Sequence, residues 1–472
     1  MQNLINYIAG ELTVKYGAND KKVDKEIESK LAVEIAQICA KENFRTGNGY
    51  IMGYDGKFYR LLDGTVMESV IARGMMLAGV GKVYTVNSVP LVRKMVERIG
   101  VREYRPRKNI VAFNNWILDL DSGDTYTHAP QWETDIRIEY DFDPLAQCPK
   151  FLKYLYEVLQ DEDTIRTLQE FCGALFIDRR KYKIENILYL LGGGQNGKGV
   201  FTGILTNMLG PQNVTSFSVG RLTKDSDRTY NIAAMNGKLA NICNDMSKGD
   251  VSGGEFKTIV SGEPIMARFP YGRAFNADNL PLIIANVNEI PRTSDHTLGH
   301  SRRPLPIPFR VTITNEKKDL ELESKLREEV SGVFNWIYDG RKRFIAQNGK
   351  FTEGAEIKVE REKIRIESNS LLQFLQEEHY SPKESDGAEL KKLLNNEIFE
   401  KYSRFCRDVG NQNIFHSLSI GRILSAEGYA EYRVSKGRGW MLWCGGRAWE
   451  TPIEEEVAID NPLINKEKEL PF

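Results

Sequence analysis

The sequence predicts an α/β protein built on a largely parallel sheet. Three apolar runs carry that expectation. ILYLL at 187–191 has the length and branching of a fully buried strand, and it leads straight into a glycine-rich turn. Similar runs recur at LANIC (239–243) and LPLIIA (280–285), with helical or loop segments between them. Strands that alternate with helices fold as crossover units, and crossovers make neighbouring strands parallel.

At 472 residues the chain has room for two to four domains. Its 41% hydrophobic and 27% charged residues are ordinary for a soluble globular protein. Lys plus Arg is 64 and Asp plus Glu is 65, for a net charge of -1. With no global basic excess, any contact with nucleic acid has to be local, on loops or inside a channel. The cysteines (39, 148, 172, 243, 406 and 444) never form a CxxC pair, which argues against a zinc ribbon and suits a reducing compartment. The opening MQNLINYIAGELTVKYGANDKK lacks the pattern of a signal peptide, and no run approaches the ~20 apolar residues that span a membrane. A cytoplasmic protein is expected.

In chain order, residues 1–145 read as an α+β region. Ile5, Ile8, Leu12 and later Leu31, Ile35 and Ile38 fall at helical spacing. Residues 50–140 alternate Gly, Asp and aromatics with short apolar runs, as strands and hairpins do. Residues 146–185 predict a helical collar of two helices, and 186–345 the α/β domain, with helices running from Lys318 to Phe344. The charged stretch 346–365 reads as a linker. Residues 366–450 predict helices around Leu371–Glu378, Leu390–Val409 and Ile420–Glu427, then two strands about a glycine turn. That is a winged-helix pattern with Lys436 and Arg438 on a basic wing and Arg422 on the preceding helix, or else a small helical packing domain. The polar segment 451–472 reads as a flexible tail.

The loop Gly192, Gly193, Gly194, Gln195, Asn196, Gly197, Lys198, Gly199, Val200 stands between a strand and a helix, the context a P-loop requires. Its glycines let several backbone N–H groups converge on one phosphate, and the helix N-terminus adds partial positive charge. Lys198 would reach the β- and γ-phosphates. The residue after the lysine is normally a Mg²⁺-binding Ser or Thr; here it is Gly199. Thr202, one turn on, is expected to lie too far away for direct contact. Downstream, LANIC ends in Asn244-Asp245, where the carboxylate of Asp245 would hold Mg²⁺ or polarise the attacking water. A hairpin is expected over Ile265–Phe275, with Arg268, Tyr271 and Arg273 near its tip. An asparagine at the end of the next strand, Asn286 or Asn288, can orient lytic water. Arg302 and Arg303 follow. Asp119-Leu120-Asp121 looks like a primase carboxylate pair, but its strand-turn setting reads as a hairpin turn. The final Glu469-Leu470-Pro471-Phe472 resembles the tip of bacterial single-stranded-DNA-binding proteins, with Lys466 and Lys468 diluting its acidity.

These motifs, in this order, resemble the superfamily 3 helicases of the AAA+ class, in particular the poxvirus-type primase-helicase group of phages and plasmids. GGGQNGKGVF resembles that family's G-x-G-x-N-G-K-S-T, with Gly199 for Ser. NDMSKGDVSGGEFKTIVSGEPIMARF resembles its Walker B segment and the acid–lysine–glycine segment after it. NEIP resembles its N-x-x-P sensor, which favours Asn288, and SRRPLPIPF its R-R-x-x-x-I-P-F, which makes Arg302 or Arg303 the finger. NNWILDLDSG and YDFDPLAQCPKFLKYL resemble the helicase-associated region, with Trp116 where Gly is usual; LREEVSGVFNWIYDG resembles the helix closing the ATPase domain.

The resemblance implies an AAA+ P-loop core and a homohexameric ATP hydrolase that moves 3′ to 5′ on single-stranded or forked DNA during replication. It implies ATP and Mg²⁺ as cofactors, DNA gripped by the hairpin residues Arg268, Tyr271 and Arg273, and no fused primase. A separate primase or single-stranded-DNA-binding machinery would complete the replication apparatus. The alternative is a nucleotide-binding initiator or scaffold with weak hydrolysis, motivated by Gly199.

Overall fold

A computed structural model describes residues 2–16, 33, 37–38, 44–47, 50–62, 64–79, 104–223, 226–244, 246, 254–270, 274–291, 302–314, 319–411, 414–435 and 437–445. The chain divides into two compact units, Met1–Ile364 and Arg365–Phe472.

The first unit opens with α1 (Gln2–Tyr16), the antiparallel strands β1 (Phe44–Gly47), β2 (Tyr50–Tyr54) and β3 (Tyr59–Leu62), and α2 (Gly64–Leu77). α2 lies where only strands were expected. Met67, Val70, Ile71 and Met75 recur at helical spacing and bury against Leu4, Ile8 and Leu12 of α1. The spacing at Leu31 and Ile35 falls outside the described residues. A second antiparallel sheet, β4 (Ile110–Ala112), β5 (Ile117–Asp119) and β6 (Thr125–Tyr126), precedes the helical pair α3 (Pro149–Leu159) and α4 (Glu162–Ala174). Asp161 caps α4, accepting from the Thr164 N–H at 2.8 Å. The Asp119–Asp121 turn is structural: Asp119 accepts from Asn109 at 2.9 Å, and Asp121 pairs with the buried Arg341.

The five-stranded sheet comes next. It contains β7 (Ile187–Leu191), β8 (Val214–Thr215), β9 (Ala240–Cys243), β12 (Leu282–Val287) and β13 (Pro304–Pro308), all parallel, in the order β13-β7-β12-β9-β8. Both faces are covered, as a parallel sheet requires. Leu188 and Leu190 of β7 enter one core, packed by α5 (Lys198–Leu209) and the helical pair; Ile187 and Tyr189 enter the other, with α6 (Val219–Thr223), α7 (Arg228–Met235) and α8 (Gly254–Ser261). The hairpin is β10 (Ile265–Arg268) with β11 (Ala274–Ala277).

No strand was foreseen at PLPIP, because proline lacks an N–H. β13 solves this by register. Ile187 N–H donates to the Arg303 carbonyl at 3.0 Å and Phe309 N–H to the Leu191 carbonyl at 2.7 Å. Odd-numbered residues therefore bond to β7, while the nitrogens of Pro304, Pro306 and Pro308 face the open edge, where no partner strand needs a donor.

The helices expected from Lys318 to Phe344 are α9 (Leu322–Arg327) and α10 (Val330–Ala346). α10 crosses α4 at backbone contact: a Cβ on Gly173 would sit 2.2 Å from the Arg341 nitrogen, and one on Gly340 would sit 2.3 Å from the Gln169 carbonyl oxygen. The segment read as a linker carries α11 (Ala355–Glu367), which buries Ile357.

The second unit contains α12 (Ser370–Glu377), β14 (Tyr380–Ser381), β15 (Glu389–Leu394), α13 (Asn395–Asp408), α14 (Ser417–Ala426), β16 (Ala430–Val434) and β17 (Gly437–Cys444). β17 pairs antiparallel with the three other strands around a core of Trp440, Leu442, Tyr402 and Leu424. The helix expected from Leu390 starts instead at Asn395. Residues 389–394 are drawn into register with β17, Leu393 opposite Trp440, so tertiary pairing overrides helical spacing.

Candidate functional site

β7 ends at Leu191 and α5 begins at Lys198, so the glycine loop occupies the C-terminal edge of the sheet. Chain order reverses around β7, with β12 on one side and β13 on the other, and such switch points are where open α/β sheets bind ligands. The turn uses left-handed backbone at Gly194 (φ 103°), Gln195 (φ 47°) and Gly197 (φ 91°). Gly192 cannot gain a side chain: its Cβ would fall 2.1 Å from Asn196 Nδ2 and 2.4 Å from the Phe309 carbonyl oxygen.

The loop is fastened on several sides. Gly192 N–H donates to the Val287 carbonyl at 3.1 Å, and Ile313 N–H to the Gln195 carbonyl at 2.7 Å. Asn196, 4% exposed, donates to the Phe309 carbonyl at 3.1 Å. The Tyr154 hydroxyl on α3 donates to the Gly197 carbonyl at 2.7 Å, and burial raises its pKa, so it remains a donor. Sequence reasoning missed Tyr154; nothing in a collar helix marks a tyrosine that reaches a loop more than 40 positions away.

Lys198 is 7% exposed and donates to the Gly192 carbonyl and, at 3.1 Å, to Asn196 Oδ1. Desolvation lowers its pKa. Both acceptors are neutral, and among the described residues no carboxylate pairs with the cation, so an anion would complete its shell. Gly193, Gly194 and Gly199 face open space, whereas Val200 lies half-buried in the first turn of α5.

Asn286 of β12 donates to Asn244 Oδ1 at 2.8 Å and approaches the Thr202 hydroxyl at 3.5 Å, while its own Oδ1 is buried without a partner. Thr202 is turned back on the carbonyls of Lys198 and Gly199, each at 3.2 Å. Asn288 stands just past the strand end, exposed. Asp245 lies outside the described residues. The described oxygens beside the loop are therefore neutral and suit a hydrated cation carried by phosphates.

The two arginines lie elsewhere. They precede β13, whose first residue pairs with Ile187, at the N-terminal edge of the sheet. Five residues of strand put them roughly 17 Å from the glycine loop of the same chain. Arg302 is exposed and pairs with Glu185; Arg303 is 7% exposed and donates to Ser261 at 3.1 Å. On the hairpin, Arg268 donates to the Tyr230 hydroxyl at 2.8 Å and lies over its ring; Tyr271 and Arg273 fall outside the described residues. In the second unit, exposed Arg438 pairs with Glu431 at 2.7 Å and stacks on Trp440 at 4.6 Å, and Lys436 is outside the described residues.

Residues 190–303 match the model of a family of unknown function, DUF5906. That span runs from the glycine loop to the paired arginines. Among solved structures, the chain is similar to the apo A form of the C-terminal region of NrS-1, at 11% identity and TM-score 0.48 over 85% of this chain and 96% of that one. A second apo structure of the NrS-1 C-terminal region matches at 12% identity and TM-score 0.44, over 85% and 95%. Among the described residues, no helix is long and apolar enough to cross a membrane.

Proposed function

We propose that this chain is an AAA+ P-loop ATPase of the superfamily 3 type, acting as a ring-shaped replicative DNA helicase. The observation that carries the reading is the Lys198 ammonium, buried at a helix N-terminus inside a left-handed glycine turn and met, among the described residues, by neutral acceptors. Such a pocket stabilises phosphate groups, and its place between strand and helix suits a nucleoside triphosphate. Lys198 binds the β- and γ-phosphates, and the backbone of Gly192–Gly197 encloses them. Asp245 would hold Mg²⁺ together with water, since position 199 offers no hydroxyl; the metal would supply charge neutralisation at the phosphates. Asn286, tied to Asn244 and Thr202, keeps the end of β12 in register with the loop, and Asn288 beyond it orients water.

The arginines support assembly. At the opposite edge of the sheet from their own loop, they cannot serve it, but in a head-to-tail ring they meet the neighbour's nucleotide. Arg302, the exposed one, is the finger, and Arg303 braces β13 against α8. The hairpin, with Arg268 at the end of β10, follows DNA phosphates in the pore. The β16–β17 turn of the second unit serves as a wing.

The test is ATP turnover with and without single-stranded DNA, with mass by light scattering in ATP and Mg²⁺. A hexamer with DNA-stimulated hydrolysis that Lys198→Ala abolishes is expected; normal turnover in that variant would sink the assignment. The second reading, a nucleotide-binding scaffold, rests on Gly199 and on the engagement of the Thr202 hydroxyl with backbone. It predicts tight ATP binding with negligible turnover, with or without DNA.

A further inference from the structure

A cleft of about 1050 Å³ lies at the other end of the first unit. Its walls are the segment 104–109 that leads into β4, the turn 120–122 after β5, the chain following α4 and the last turns of α10. Its floor includes residues 236–237 and 278–279, which lead into β9 and β12. It therefore sits at the N-terminal edge of the parallel sheet, away from the glycine loop.

The cleft is too charged for an apolar small molecule. Seven basic side chains line it against four carboxylates. Some of these charges are already spent: Arg180 pairs with Asp178 and Asp278 at 3.4 and 3.7 Å, and Arg341 with Asp121. Others are not. Among the described residues, Arg107, Lys108 and Lys181 form no ion pair with a carboxylate, so this charge remains available to a ligand. Two tyrosine rings in the lining stand beside cations: Lys181 lies 5.4 Å from Tyr182 and Lys342 lies 4.1 Å from Tyr338. Lys108 is held at a cost. Burial first, then the Arg179 charge, pulls its pKa down to about 8 against the weaker pull of Asp178 and Asp135, and Asp135 is itself raised to about 6 by burial. An arriving anion would relieve that cost.

We propose that this cleft binds the phosphodiester backbone of single-stranded nucleic acid, with its bases resting on the tyrosines. Cations that follow phosphates, interleaved with ring faces that tolerate any base, are what an unpaired strand requires. A duplex is a convex rod with its bases inside; it would meet only the rim. The site is separate from the ATPase centre and from the hairpin, and it does not depend on nucleotide.

The experiment uses the full chain without ATP and measures anisotropy of a fluorescein-labelled oligo-dT strand across a salt series. Arg107→Glu with Lys181→Glu, both at exposed positions, should weaken binding by tenfold or more and flatten the salt dependence. An unchanged affinity in that variant overturns the proposal. So does inorganic tripolyphosphate that displaces the strand as well, per phosphate, as unlabelled oligo-dT does, because the cleft would then be a site for free polyphosphate. If Arg268→Glu abolishes binding and the cleft pair does not, the cleft is only a charged groove and the proposal also falls. Lys198→Ala separates this site from the ATPase reading, since it should remove turnover and leave cleft binding intact.

Discussion

Replacing Tyr154 by Phe removes one oxygen from a buried position and tests how α3 governs the glycine loop. The hydroxyl donates to the Gly197 carbonyl at 2.7 Å, and Tyr154 is 3% exposed, so water cannot take its place. The Gly197 carbonyl also accepts from the Phe201 N–H at 3.1 Å. It therefore keeps one partner, and the cost belongs near the middle of the usual range for a lost hydrogen bond, about 1 kcal/mol. Gly197 opens α5 at φ 91°, so the loss falls on the order of the loop rather than on the sheet. A penalty of that size corresponds to roughly fivefold in an equilibrium constant. The affinity for a fluorescent ATP analogue should fall by about that factor, with a drop of about 1–2 °C in Tm. Full affinity and an unchanged Tm in Tyr154→Phe would refute the claim that α3 holds the loop.

Gly199→Ser meets no atom within 4 Å, so it should leave Tm unchanged; under the motor reading turnover stays within the same order of magnitude, and a steep rise would favour the scaffold. Gly173→Ala gains about 1 kcal/mol of helix propensity but overpacks against the Arg341 backbone at a cost of about 1–3 kcal/mol. Net destabilisation is expected by urea unfolding, and a variant as stable as wild type would contradict the crossing geometry. Lys108→Met should be more stable than wild type at pH 7. With a folded pKa near 8 and an ordinary value of 10.5, the unfolded state binds more protons between those values, so wild type gains stability as pH rises through that window and the gap closes. A gap that is flat with pH would show that the ammonium carries no burial cost.

The edge of the sheet that carries the glycine loop was readable from the sequence because each signal there is local. ILYLL, the glycines and Lys198 sit in one continuous segment, and β9, β12 and the hairpin follow with their boundaries shifted by at most a few residues. What escaped depends on distant partners. β13 is disguised by three prolines whose missing donors matter only once the edge of the sheet is known. β15 carries helical spacing but is captured by β17. α11 is charged enough to pass for a linker and is anchored by Ile357. Tyr154 acts on a loop more than 40 positions away, the basic cleft is assembled from segments up to some 240 positions apart, and a net charge of -1 conceals the cleft entirely.

The meeting of α4 and α10 at Gly173 and Gly340 has a mechanical consequence. Where helices pack through side chains, rotamer changes let them slide; at Gly173 and Gly340 backbone approaches backbone too closely for a Cβ, and Gln169 and Glu170 of α4 bond across to Trp336 and Arg343 of α10. The chain leaving α4 and the last turns of α10 both line the basic cleft. The walls must then move as one body, and the groove is built before any strand arrives. A preformed groove loses little entropy when a strand enters, so capture there should be limited by diffusion and electrostatic steering rather than by waiting for the cleft to open.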